Sequence, residues 1–234
     1  MINLPFPKKG EGGKGEKKPE KASSSHNKEQ DSKPGTREQK ASPQDPNPRE
    51  PYRKRTALFK KIIERYREQI EAGEMKTVPD LKNLIDPKGK AVQQIKQGIE
   101  NDFHPYLYEK NFKEAAGKAF EFLRDKIGNE ALPVDFWLSP DDVLELGLAD
   151  EMDKAIFLCS LLIALDNETA KVVVETNGQR HAFVMFEFGG RFHLMDPVHD
   201  VSISGSREEV IEAHLLGHDH QLVYEFSNKG YEEW

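Results

Sequence analysis

From Ala155 to Leu165 the chain reads Ala-Ile-Phe-Leu-Cys-Ser-Leu-Leu-Ile-Ala-Leu, with Ser160 as its one polar side chain. A helix that is apolar on every side has to be buried on every side. The run is too short to span a bilayer, which takes about 20 apolar residues. It therefore predicts a central helix, starting near Ala149-Asp150 and stopped by Asp166-Asn167, with the other elements wrapped around it. Its polar end is the first turn, where Asp150, Glu151, Asp153 and Lys154 cluster. That end has to meet solvent or a polar site.

Composition shows how much chain is available for the wrapping. Between Pro7 and Glu50 there is no Val, Ile, Leu, Met or Phe. With nothing to bury, such a segment cannot offset the entropy of ordering, so residues 1–52 are expected to form a disordered tail. Residues 1–56 carry 14 Lys and Arg against 8 Asp and Glu, and the remainder 20 against 33. A basic tail on an acidic body results. The tail is read first as a solvated segment, with nucleic acid or the acidic body as alternative contacts. A single cysteine, Cys159, rules out an intrachain disulfide and a Cys-rich zinc site. The start, Met1-Ile-Asn-Leu-Pro-Phe-Pro-Lys-Lys, lacks the order of a signal peptide. The expectation is a cytoplasmic protein with no membrane partner.

Apolar periodicity then gives the elements. Leu58, Phe59, Ile62, Ile63, Tyr66 and Ile70 recur at three- and four-residue steps, as do Leu81, Leu84 and Ile85; Ala91, Val92, Ile95 and Ile99; and Phe112, Ala115, Ala119, Phe120, Leu123 and Ile127. Each set predicts an amphipathic helix, and together they make 53–130 a helical region. At this spacing the aromatic side chains read as core, not as a binding stripe. Leu132–Leu138 is expected to be an extended connector. Ser139-Pro140-Asp141-Asp142 has the cap, proline and acids of a helix start. Lys171–Thr176, Arg180–Phe188 and Arg191–Met195 read as strands, with turns at Asn177-Gly178 and Gly189-Gly190. A helix from Ser206 and a strand at Gln221–Phe226 follow.

The Gly189-Gly190 turn has a consequence for chemistry. A two-residue hairpin pairs Phe188 with Arg191, and counting outward pairs Phe183 with Asp196. Opposed residues share a face, as do residues two apart on one strand. His181 is then the diagonal neighbour of Asp196 on one face, provided that no bulge intervenes. A carboxylate beside an imidazole fixes its tautomer and stabilises its protonated form, as a general base requires. A buried His–Asp hydrogen bond without catalysis fits the same pattern. His214, His218 and His220 have spacing like that of metal ligands, but Gly217 interrupts them, and exposed histidines near a helix C-terminus are the expected account. His193 and His199 have no evident partner in the sequence.

Four ordered pieces, Asp150–Leu165, Ala170-Lys-Val-Val-Val174, His181-Ala-Phe-Val184 and Leu194-Met-Asp-Pro197, resemble the core of the transglutaminase-like superfamily, in particular its small archaeal and bacterial members. The resemblance covers roughly Phe136–Pro197. In that family a Cys stands at the N-terminus of the central helix within Gly-Asp-Cys-x-Asp-x-Ala. A His heads one strand as His-Ala-Trp, and an Asp ends the next as Asp-Pro. By this resemblance His181 and Asp196 occupy the dyad positions, with Phe183 in place of Trp. Matching Asp153-Lys154-Ala155 to Asp-x-Ala puts Glu151 where the nucleophilic Cys belongs. Cys159 lies eight residues further on, about 12 Å along the helix and roughly 80° around it. It reads as core.

The resemblance implies an α+β fold: an N-terminal helical portion, then a papain-like, transglutaminase-like core over 131–234 with its central helix on an antiparallel sheet. It implies either a pseudoenzyme that keeps the cleft as a binding or scaffolding module for a protein or peptide, or an active cysteine-dependent acyltransferase or peptidase. The second needs Cys159 in the cleft or a different helix register. A nucleic-acid-associated protein acting through the tail is the reading from another class. Glu151, His181 and Asp196 offer one imidazole and two carboxylates, a sparse donor set, so no metal and no cofactor are expected.

Overall fold

The apolar run folds into one helix, Glu151–Ala164, in which every residue from Met152 to Leu162 is buried. Its start is fixed by a capping box. The Asp153 amide donates to Asp150 Oδ1 at 2.8 Å, and the Asp150 amide donates back to Asp153 Oδ2 at 3.4 Å. Two of the orphan amides of the first turn are thereby satisfied. Asp153 is itself buried and also accepts from the Leu138 amide at 2.7 Å. The capping residue thus ties the preceding connector to the helix.

The computed structural model describes residues 50–71, 78–131, 136–177, 179–214 and 222–233. The chain divides after Arg53, and the fold belongs to Lys54–Trp234. The expected tail lies outside the described residues up to residue 49. In chain order the elements are α1 (Glu50–Glu71), α2 (Val78–Leu84), α3 (Lys90–Glu100), α4 (Tyr108–Lys126), β1 (Gly128–Asn129), α5 (Pro140–Leu146), β2 (Leu148–Ala149), α6 (Glu151–Ala164), β3 (Lys171–Asn177), β4 (Gln179–Phe188), β5 (Arg191–Asp196), β6 (Val201–Gly205), α7 (Arg207–His214), β7 (Leu222–Phe226) and β8 (Tyr231–Glu233). The fold is α+β. Its main sheet has the strand order β6-β5-β4-β3-β7-β8, and every neighbouring pair is antiparallel.

β4 is an interior strand, and both of its faces are covered. On one, the α4 side chain Phe112 packs edge-on against Phe186 and at a tilt against Phe188, with ring centroids 5.5 and 5.0 Å apart. On the other, Phe183 and Met185 join Val173, Leu194, Val223 and Val210 of α7 in a second cluster. The central helix α6 contacts β3 and β4 as well as α3, α4 and α5. At its far end the buried Asn167 donates to the Glu187 carbonyl at 3.0 Å and to Tyr108 Oη at 3.2 Å. That pins the helix C-terminus to the hairpin.

Register decides which side chains meet. Gly189 and Gly190 both have positive φ, 61° and 71°, the conformation that a two-residue hairpin turn demands. Phe188 pairs with Arg191, and the ladder runs unbroken to Val184 opposite Met195. No bulge breaks the parity between His181 and Asp196. On the other side of β4, Glu175 is directly opposite His181.

Several elements depart from the sequence reading. Gly128-Asn129, expected only to close a helix, forms β1 and pairs in parallel with β2, which fixes the chain just before Asp150. Strands β6 and β8 extend the sheet at both edges. In α1 the backbone leaves helical geometry at Tyr66, and Ile63 is exposed instead of joining Leu58 and Ile62 in the core. The first half of the expected connector, 132–135, lies outside the described residues. No described helix is long and apolar enough to cross a membrane.

Phe112 is fully buried between helix and sheet, so Phe112→Ala leaves a cavity as well as losing transfer energy. Chemical denaturation is expected to show a loss of about 3–5 kcal/mol; a loss under about 1 kcal/mol would mean that α4 does not pack on β4 in this way.

Candidate functional site

Asp196 ends β5 and is 0% exposed. A buried carboxylate has to be hydrogen-bonded and paired, and this one is. The amides of Val198 and His199 donate to Oδ1 at 2.9 and 3.1 Å. Toward Oδ2 come His181 Nε2 at 2.7 Å and His199 Nδ1 at 2.8 Å. Burial works against the charged carboxylate, but the hydrogen bonds from His181 and His199 and the charge of His181 outweigh it and hold the pKa down at about 2.

His181 stands at the head of β4 with carboxylates on both ring edges. Its Nε2 faces Asp196 and, at 3.7 Å, Glu151 Oε1; its Nδ1 is 3.8 Å from Glu175 Oε2. Burial alone favours the neutral ring. The Asp196 hydrogen bond and the charges of Asp196, Glu151 and Glu175 overcome this and raise the pKa above its ordinary value. Glu151 is the first residue of α6, so its carboxylate sits at the helix N-terminus, where negative charge is favoured. Its Oε1 also lies 3.4 Å from His199 Nδ1. Burial raises the Glu151 pKa, against the pull of the two histidines.

Cys159 is elsewhere. It is 0% exposed, its thiol donates to the Ala170 carbonyl at 3.5 Å, and burial pushes its pKa up. It is a core residue of α6, two turns along the helix from Glu151.

Four further residues belong to the cluster. His199 comes from the turn after β5, three residues past Asp196; the spacing Asp196-Pro-Val-His199 is the one signal that marks it. Glu175 is placed by the β3–β4 register. Lys154, in the first turns of α6, is buried, and burial lowers its pKa against the charge of Asp196. His214 corrects an expectation. It is the last residue of α7 and not an exposed histidine: its side chain is only 9% exposed, with Nε2 3.7 Å from Asp196 Oδ2. Its ring packs 4.9 Å from that of His181 and 4.7 Å from that of Phe183. Burial lowers its pKa and the charge of His181 adds to this. His193 lies apart from the cluster, stacked on Phe186. His218 and His220 lie outside the described residues.

Two donor groups of metal-binding compactness result: Glu151, His181 and His199, and His181, Asp196 and His214. The sparse set seen in the sequence becomes one with three imidazoles.

In sequence comparisons no protein-family model and no curated protein matches the chain. Among solved structures the fold is similar to that of Legionella pneumophila LapG, with 15% identity, a TM-score of 0.44, and coverage of 67% of this chain and 87% of that one. It is similar also to calcium-bound Legionella pneumophila LapG, at 16% identity and a TM-score of 0.45 over the same shares of both chains. Both likenesses are distant.

The two shifted pKa values set a pH window. A raised imidazole contributes stability that is complete below its unfolded value, about 6.5, and is lost as pH rises through the folded value. A depressed carboxylate contributes above its unfolded value of about 3.9 and loses that contribution as pH falls toward about 2. The pair therefore stabilises most between about pH 4 and 6.5. The destabilisation caused by His181→Gln, measured by urea unfolding, is expected to be larger at pH 6 than at pH 9. An equal effect at both would show that His181 is not charged through Asp196.

Proposed function

We propose that this chain carries a transglutaminase-like cleft without its nucleophile and acts as a binding or scaffolding module for a protein or peptide partner. The observation that carries the reading is the place of Glu151. It is the first residue of the buried central helix, with Oε1 3.7 Å from His181 Nε2. A thiol at that point would face the imidazole, and the imidazole is in turn held by Asp196 at 2.7 Å. The order of parts, helix N-terminus, then histidine strand, then aspartate strand, supports the same reading.

Glu151 changes the chemistry. A carboxylate is a poor nucleophile toward an amide, and the acid anhydride formed by its attack would be too reactive to serve as an acyl carrier. Its contribution is electrostatic: it adds negative charge beside His181 and His199 at the mouth of the cleft. His199 is 55% exposed there, so the cleft presents imidazole and carboxylate to whatever binds it. The competing reading, an active cysteine enzyme, needs a thiol that is both accessible and ionisable, and Cys159 is neither.

The test places the thiol where the cleft would use it. Glu151→Cys puts a sulfur at a helix N-terminus beside a charged histidine, two features that lower a thiol pKa. Its alkylation at pH 6.5 is expected to exceed that of an unperturbed cysteine by at least about tenfold. In the unsubstituted chain Cys159 should label only after denaturation. A Glu151→Cys thiol that titrates like a free one, or rapid native labelling of Cys159, would overturn the assignment.

A further inference from the structure

We propose that His181, Asp196 and His214 form a site for a divalent transition-metal cation of the zinc type, within the same cleft and independent of whether Glu151 replaces a nucleophile. His214 carries the argument. Its side chain is more than nine-tenths buried, and its Nε2 is shielded from solvent with no hydrogen-bond partner. Buried polar nitrogens are almost always paired, and one left unpaired points to a missing partner. That nitrogen points at the most heavily solicited oxygen of the cluster, Asp196 Oδ2, 3.7 Å away. A cation between them would give the His214 nitrogen the partner that it lacks and take the Asp196 carboxylate as its counter-charge.

The geometry fits. One ligand atom from each of the three residues lies within 4.8 Å of the others. Four-coordinate zinc with bonds of about 2.0–2.1 Å sets its ligand atoms about 3.3 Å apart. The Asp196–His214 separation needs only a small closure. The 2.7 Å His181–Asp196 contact opens as the cation takes the place of the shared proton. The donors come from three elements, the head of β4, the end of β5 and the end of α7, so the site draws together parts of the chain that are distant in sequence.

The surrounding groups are those that a metal site requires. Glu175 Oε2 lies 3.8 Å from His181 Nδ1, favouring a proton there and presenting Nε2 as the lone pair. The Val198 and His199 amides hold Asp196 Oδ1, leaving Oδ2 for the imidazole side. Glu151 Oε1, 3.7 Å from His181 Nε2, is within reach as a fourth ligand or as the partner of a bound water. Two imidazoles among three protein donors select against calcium and magnesium, which take oxygen ligands, and favour zinc, cobalt, nickel or copper.

The chelator-treated full chain is titrated with cobalt(II), and zinc is then added. Expected are one equivalent of cobalt with the visible absorption of a four-coordinate ion, displacement by zinc, and no displacement by an equal concentration of calcium. His214→Ala should weaken cobalt binding at least tenfold, whereas His193→Ala, at a histidine stacked on Phe186 apart from the cluster, leaves it unchanged. Undiminished binding by His214→Ala, or no binding by the unsubstituted chain, overturns the proposal. If His214→Ala does not fold, imidazole NMR of the unsubstituted chain decides. Zinc must shift the His181 and His214 resonances together, and failure to do so overturns it equally. None of these readouts depends on the alkylation of Glu151→Cys, so the two readings can fail separately.

Discussion

Burial of the α6 helix is the constraint on which everything else depends. A helix without a polar face can be accommodated only by covering it all round, and α3, α4, α5, β3 and β4 do so. That enclosure leaves one place where α6 can present polar chemistry, its first turn. The Asp150–Asp153 capping box and the β1–β2 pair both hold the chain there, so Glu151 starts the helix at a fixed point beside the end of the sheet. Position in the helix also separates Glu151 from Cys159. Glu151 lies at the open end, and Cys159, two turns in, is enclosed by core.

At the sheet end the controlling feature is the fully buried carboxylate of Asp196. A charge removed from water is retained only if its partners offset the desolvation, and removing one partner leaves it uncompensated. Here the partners come from β4 and from the turn after β5, with the His214 ring of α7 packed close by without a hydrogen bond. Asp196 therefore organises the cluster mechanically as well as electrostatically. Two backbone amides fix one oxygen, and imidazoles gather around the other. The histidine that shares this oxygen is held in turn by Glu175 behind it and Glu151 in front. The cluster is held together by its own hydrogen bonds and charges, with the Glu151 carboxylate at the start of the helix as one of them.

Much of the architecture was legible because its signals are local. The solid apolar run gave the central helix, three- and four-residue spacing gave α1 through α4, and Ser139-Pro140 gave the start of α5. The paired glycines gave the hairpin register, and with it the shared face of His181 and Asp196. Strand β6 carries a local signal too, since Val201 and Ile203 alternate with Ser202 and Ser204. β8 and the two-residue pair β1–β2 do not, because such short segments are strands only by virtue of the neighbour that they pair with.

The sequence by itself determined a fully buried helix starting near Asp150, strands joined by a paired-glycine hairpin, and a histidine and an aspartate on one face of that hairpin. Periodicity and turn chemistry act over a few residues, and these features need nothing more. The tertiary structure alone decided what surrounds Asp196. His214 sits 18 residues further along the chain than Asp196, and Glu175 on the far side of the β3–β4 turn. Their meeting depends on how α7 lies on the sheet and on a register set by strand pairing. Periodicity says that a side chain is buried, but not which other buried groups it meets. That is why the sequence showed one imidazole and two carboxylates where the folded chain gathers three imidazoles around one oxygen.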